Sequence, residues 1–261
     1  MKQALKNLYQ TYFVQDPINV DEEVLQFSTP FLLSPGDQYL KAKKKVMIVG
    51  QETYTWNEKN GVNGKYEYFL TREDPIAYAQ NIFIQFIQSE SQNYSSPFWD
   101  YLNRLFFETD VGWIWNNVFK METVEYLSDP KYLGKNVSLS QLNQNKQYRY
   151  LIDKIKAHQK DVFLKELEIL KPDLVIFFTG NPYDGLFMDW QFDTTGDFFQ
   201  EIPEAVEQGI DKWKFGRLNS PLLPKNTFRT YHPNYLRRAS GKVLSKEQKE
   251  FIFDFLRQQV L

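Results

Sequence analysis

Four short segments of this 261-residue chain hold the side chains best suited to chemistry. They are Gly50-Gln51-Glu52-Thr53-Tyr54, Asn116-Asn117-Val118-Phe119-Lys120, Thr179-Gly180-Asn181-Pro182 and Tyr231-His232-Pro233-Asn234-Tyr235-Leu236-Arg237-Arg238. Glu52 and His232 are acid–base groups. Gln51, Asn116 and Asn117 are amides, able to donate and accept along a hydrogen-bonding edge. Arg237 and Arg238 suit phosphate. Each also has a plain structural role: a Gly ends a strand, an Asn caps a turn, a His before Pro is satisfied locally and paired arginines sit on a solvated surface. What distinguishes the four segments is a shared position just beyond an apolar run.

Those runs define the elements that must position them. Val46–Val49, Trp113–Trp115, Leu174–Phe178 and the shorter stretch from Thr227 to His232 read as strands, the first and third fully buried. Asp74-Pro75 and Ser96-Pro97 each supply an N-cap with proline in the first turn. Ile76, Ala79, Phe83, Phe86 and Ile87 follow the first at helical spacing, and Phe98, Leu102, Leu105 and Phe106 the second. Apolar residues from Leu151 to Leu170 give one or two further helices that stop at Lys171-Pro172, and Ser245 with Gln248 forms a capping box for a last helix. Residues 138–147 read as a surface loop. Short strands alternating with amphipathic helices imply an α/β fold, three layers α/β/α around a central four-stranded parallel sheet. No repeat or Gly/Ser linker divides the chain, so a single domain over 1–261 is expected, with 1–40 as an N-terminal extension packed on it. In such sheets ligands bind beyond the carboxyl ends of the strands, where the four segments fall.

The chain has no cysteine, which excludes disulfides, thiolate nucleophiles and Cys-ligated metals, and only two histidines, so a metal would need carboxylates. No cofactor and no metal are expected. The start, MKQALKNLYQTYFVQ, is broken by Lys6, Asn7 and Gln10, which argues against a signal peptide or membrane span. A cytoplasmic monomer without a membrane partner is the default expectation. With 31 Lys+Arg against 33 Asp+Glu, no chain-wide field favours nucleic acid. The charge is nonetheless segregated. Residues 186–211 carry seven acids and no Lys or Arg, whereas 217–242 carry Arg217, Lys225, Arg229, Arg237, Arg238 and Lys242 and no acid. The basic block contains His232, as a phosphate-binding surface would.

In order and spacing the four segments resemble the uracil-DNA glycosylase superfamily. GQETY at 50–54 is similar to its first motif, G-Q-D-P-Y, at Gly50, Gln51 and Tyr54, with Glu52 in place of the frequent Asp and Thr53 in place of Pro. NVFK at 117–120 resembles the Asn-led motif of the thermostable families, KPDLVIFFTG at 171–180 their third strand, and YHPNYLRR at 231–238 their Y-H-P-x-x-L-x-R segment. Those families carry an iron–sulfur cluster on four cysteines, which this chain lacks, so packing alone must hold the corresponding region.

The resemblance implies hydrolysis of the bond between a flipped damaged base, uracil first among the choices, and deoxyribose in single- or double-stranded DNA. The transition state places positive charge on the sugar and negative charge on the departing base. His232 would then donate to the base oxygen and Glu52 would position water and oppose the sugar charge. Asn117, or Asn116 if the register differs by one, would bond the base edge, with Gln51 offering its backbone amide. Tyr54 would close the pocket wall. Tyr66, Tyr68 and Phe69 are candidate stacking residues, with core packing as their other reading. Asn234, Leu236 as a wedge, and Arg237 and Arg238 at flanking phosphates would hold the DNA. Two alternatives stand beside this: a catalytically silent member that binds nucleic acid, a nucleobase or a nucleotide, and an interaction protein using the acidic block.

Overall fold

The computed structural model describes residues 1–18, 25–51, 64–91, 96–121, 123–126, 143, 146, 149–237 and 243–261. Among them the strands in chain order are β1 (Leu25–Phe27), β2 (Lys45–Gly50), β3 (Gly112–Asn117), β4 (Thr123–Tyr126), β5 (Leu174–Phe177), β6 (Phe199–Gln200), β7 (Phe215–Leu218) and β8 (Asn226–Thr230). The chain forms two compact units, one from Met1–Ser34, Glu52–Phe86 and Asn117–Ile169, the other from Pro35–Gln51, Ile87–Asn116 and Leu170–Leu261.

The second unit is built on a six-stranded sheet in the order β3-β2-β5-β8-β7-β6. β2, β5 and β8 are parallel, with Val46 opposite Leu174 and Leu174 opposite Asn226. β7 and β6 then extend the sheet antiparallel, Gly216 opposite Arg229 and Gln200 opposite Arg217. The sheet is therefore mixed and six-stranded, which corrects the four parallel strands expected from the sequence. β6 has two residues and β7 four, too few to display a period of two. Gly216 is what lets β7 close on its neighbours: a Cβ there would lie 2.6 Å from the Lys212 carbonyl oxygen and 3.1 Å from that of Gln200.

Both faces of the sheet are covered. Phe177 meets Phe187 while its successor Phe178 meets Phe98 and Tyr101, the alternation a strand requires. The helix Pro97–Leu105 is capped as its sequence indicates, Ser96 Oγ accepting from the Trp99 N–H at 3.3 Å. The last helix, Lys246–Val260, has the capping box of Ser245 and Gln248 and lays Phe255 against Phe215 and Phe228.

In the first unit β1 pairs antiparallel with β4. The helix Pro75–Gln85 starts at Asp74, whose Oδ1 accepts from the Ala77 N–H at 3.0 Å. Residues 1–34 supply Leu5, Tyr9, Phe13, Phe27, Phe31, Leu32 and Leu33, all buried, so they form part of this unit's core.

Candidate functional site

β5 runs through Leu174–Phe177 and its chain continues, still buried, to Thr179. Gly180 then takes φ 69° and ψ 172°, a conformation open to glycine alone, and its N–H donates to the Thr230 carbonyl at 3.1 Å. Gln51, just past β2, donates its side-chain Nε2 to the Thr179 carbonyl at 2.7 Å. The carboxyl ends of β2, β5 and β8 are thus joined by direct hydrogen bonds, and the chain leaving β8 delivers His232 two residues later.

The imidazole of His232 is held on two sides. Phe98 stacks on it with ring centroids 5.3 Å apart and planes at 15°. The Asn234 N–H donates to Nδ1 at 3.2 Å, and the Tyr235 and Leu236 N–H groups donate to the His232 carbonyl at 2.7 and 3.2 Å, closing the turn that opens the helix Pro233–Arg237. Burial pushes the His232 pKa down to about 4. At neutral pH the ring is uncharged. With Nδ1 accepting, its single proton sits on Nε2, which makes that atom a hydrogen-bond donor.

Of the other residues singled out in the sequence, Asn116 is fully buried, its Nδ2 3.6 Å from Met47 Sδ. Asn117 is buried at the end of β3 and is counted with the first unit. Phe69 is buried in the first unit and stacked on Tyr66 at 5.6 Å, whose hydroxyl donates to the Phe13 carbonyl, so core packing is the role seen for both. Tyr68 carries the Arg72 guanidinium 4.1 Å above its ring. Asn234 is exposed, and Leu236 is 6% exposed, packed inside the second unit. Glu52, Thr53, Tyr54, Arg238 and the side chain of Arg237 lie outside the described residues.

The basic block needs one correction. Arg229 is fully buried and donates through Nε and Nη2 to Asp184, through Nη2 to Asn181 Oδ1 at 2.7 Å and through Nη1 to the Trp213 carbonyl. It ties β8 to the segment 181–184 and to the turn at Trp213, and offers nothing to phosphate. Phe228 before it points to Phe215 and Phe255, so alternation sends Arg229 to the opposite face, where Asp184 compensates its charge. Desolvation outweighs the pull of Arg229 and lifts the Asp184 carboxyl to about 6. Arg217 and Lys225 are exposed.

The sequence reading missed a second buried pair in the first unit. Lys120 Nζ lies 2.6 Å from Glu166 Oε2, both side chains shielded from solvent, and the Tyr9 hydroxyl donates to Glu166 Oε1 at 2.6 Å while accepting from the Leu33 N–H at 3.1 Å. The Lys120 N–H donates to Gln159 Oε1 and its carbonyl accepts from the Phe31 N–H. The NVFK segment is anchored by these bonds three residues beyond Asn117. The available signal was a single lysine inside the apolar run Val118-Phe119-Lys120-Met121.

Among the described residues no group of three or more His, Asp or Glu could hold a metal ion, and no helix is long and apolar enough to cross a membrane. No protein-family model matches this sequence, and no curated protein matches it.

Proposed function

We propose that this protein is a uracil-DNA glycosylase-like enzyme that hydrolyses the N-glycosidic bond of a flipped damaged base, uracil foremost. The observation that carries the reading is His232: a half-buried, neutral imidazole whose Nε2 is the proton-bearing atom, placed beyond the carboxyl ends of three parallel strands. In the reaction the bond between the base nitrogen and C1′ breaks and the base departs with the electron pair. Nε2–H donates to the base oxygen as negative charge gathers there. Water adds to C1′ and releases a proton, with Glu52 as the carboxylate that orients it and opposes the sugar's positive charge. Asn117 meets the base edge.

The test is a single-turnover assay on oligonucleotides containing uracil, hypoxanthine or xanthine, single-stranded and mispaired. Abasic product is the expected outcome, with His232→Ala and Glu52→Gln each slowing release by roughly a hundredfold or more. Absence of product at high enzyme concentration overturns the reading. Glu52 and Thr53, which depart from the first motif, favour a second reading in which the same site binds a nucleobase or nucleotide without cleaving it; binding to uracil-containing oligonucleotide with no abasic product is its signature.

A further inference from the structure

Phe98 comes from a part of the chain that none of the four motifs includes, yet its ring is the nearest described aromatic surface to the imidazole. The geometry of its surroundings is that of a fixed support. Pro97 and the Ser96 cap set the start of its helix. Trp99 and Trp115 lie 5.3 and 6.0 Å from the Phe98 ring, edge-on and tilted, and Phe178, at the end of β5, meets it edge-on at 6.4 Å. Trp115 is itself held by Trp99 at 5.0 Å. Phe98 as a whole is 8% exposed. A ring so enclosed has little freedom to turn, and the face it presents to His232 is set by the sheet and the helix together.

We propose that Phe98 is a positioning residue for His232: its enclosed ring fixes the plane of the imidazole and shuts water from one face, so that Nε2 is the only ring atom left to donate outward. The role rests on the proposed function in one respect, that Nε2 is the atom used. Asn234 restrains the same ring in its plane through Nδ1, while Phe98 restrains it across the plane, and neither restraint substitutes for the other.

Among the described residues, no charge on the packed elements competes with this arrangement. The helix carrying Phe98 also carries Asp100, Tyr101 and Arg104. Asp100 is exposed, Arg104 lies over the Phe253 ring at 4.5 Å, and Tyr101 packs edge-on against Phe178 and Phe253. On the His232 side, Tyr231 and Tyr235 stack on one another at 4.8 Å. None of these shifts the imidazole's titration; burial alone depresses it.

The chain has two histidines, so both can be followed by long-range nitrogen-edited NMR in the intact protein without substrate. His158, in the other unit and edge-on to Phe13 at 5.5 Å, serves as the internal reference for an undisturbed fold. In the unaltered chain His232 is expected as one tautomer, protonated at Nε2. Phe98→Ala should mix the tautomers and raise the titration midpoint by about one pH unit or more toward the ordinary histidine value. Phe98→Leu, which keeps most of the volume and guards against a collapsed core, should do so in part, and Phe98→Tyr should restore the original behaviour. If His232 keeps its tautomer and midpoint in Phe98→Leu while His158 is unchanged, the proposal is overturned, whatever the chain does to DNA. Failure of base release in the unaltered chain would instead overturn the function and leave this NMR result standing.

Discussion

At Gly180 a single residue decides how two strand ends meet. Its φ of 69° with ψ near 172° is strained for any side chain, and an added Cβ would lie 3.4 Å from the Tyr231 ring. Gly180→Ala should therefore lower stability by about 1–3 kcal/mol in denaturant titrations. It should also weaken the Gly180–Thr230 hydrogen bond that precedes His232. The position of Gly180 after an apolar run was readable from sequence, but its conformation was not, because a glycine ending a strand looks the same whether its φ is positive or negative. His232 shows the same limit. Its type and place marked it, while its protonation depends on Phe98, 134 positions earlier in the chain, and no local pattern connects the two.

Elements reveal where charge has been taken out of water. Lys120 and Glu166 join two segments of the first unit through a pair with no access to solvent. Removing one partner leaves the other's charge buried, so Lys120→Met should cost about 3–5 kcal/mol by denaturant unfolding. Adding Glu166→Gln should recover part of that loss, since the stranded charge is gone and Tyr9 retains an acceptor. If the double variant is as unstable as Lys120→Met alone, the loss comes from packing and the charge argument is wrong. Strong periodicity and caps made the helices at Pro75, Pro97 and Lys246 legible, as were β2 and β5 with their continuous apolar runs. β6 and β7 were not, being held by neighbours on the sheet more than by any pattern of their own. Arg229 was misjudged for the same reason: in a strand covered on both faces an arginine is a core residue when an aspartate 45 positions away reaches it, and sequence does not disclose that meeting.

Across the whole molecule two titrations oppose one another. His232, depressed to about 4, binds fewer protons folded than unfolded, so its share of stability is present above about pH 6.5 and is lost as pH falls toward 4. Asp184, raised to about 6, binds more protons folded, so its share grows as pH falls through 6. Each amounts to about 3 kcal/mol over its range, and across about pH 4–6 the two offset. Substitution should separate them. Relative to the unaltered chain, His232→Gln should gain stability between pH 7 and pH 4, and Asp184→Asn should lose it, by about that amount in each direction. Parallel pH–stability curves for all three proteins would refute the burial argument for both groups. The net charge of −2 conceals a comparable internal balance, since Arg229, counted from sequence in the basic surface block, is cancelled inside the protein by Asp184.

The interleaving of the two units also imposes an order of manufacture. The chain passes from one unit to the other after residues 34, 51, 86, 116 and 169, so neither half corresponds to a contiguous stretch that could be excised and expressed. On the ribosome the first unit has all its residues once Ile169 has emerged, and Tyr9 can then find Glu166. At that moment the other unit has, of its strands, only β2 and β3, and the strand that completes its parallel core, together with the histidine beyond it, is still to be translated. A nascent chain arrested shortly past residue 170 would be finished in one half and open in the other, with the apolar faces of β2 and β3 awaiting β5. The interval before β5 arrives is when this protein would be most exposed to aggregation and most dependent on a chaperone.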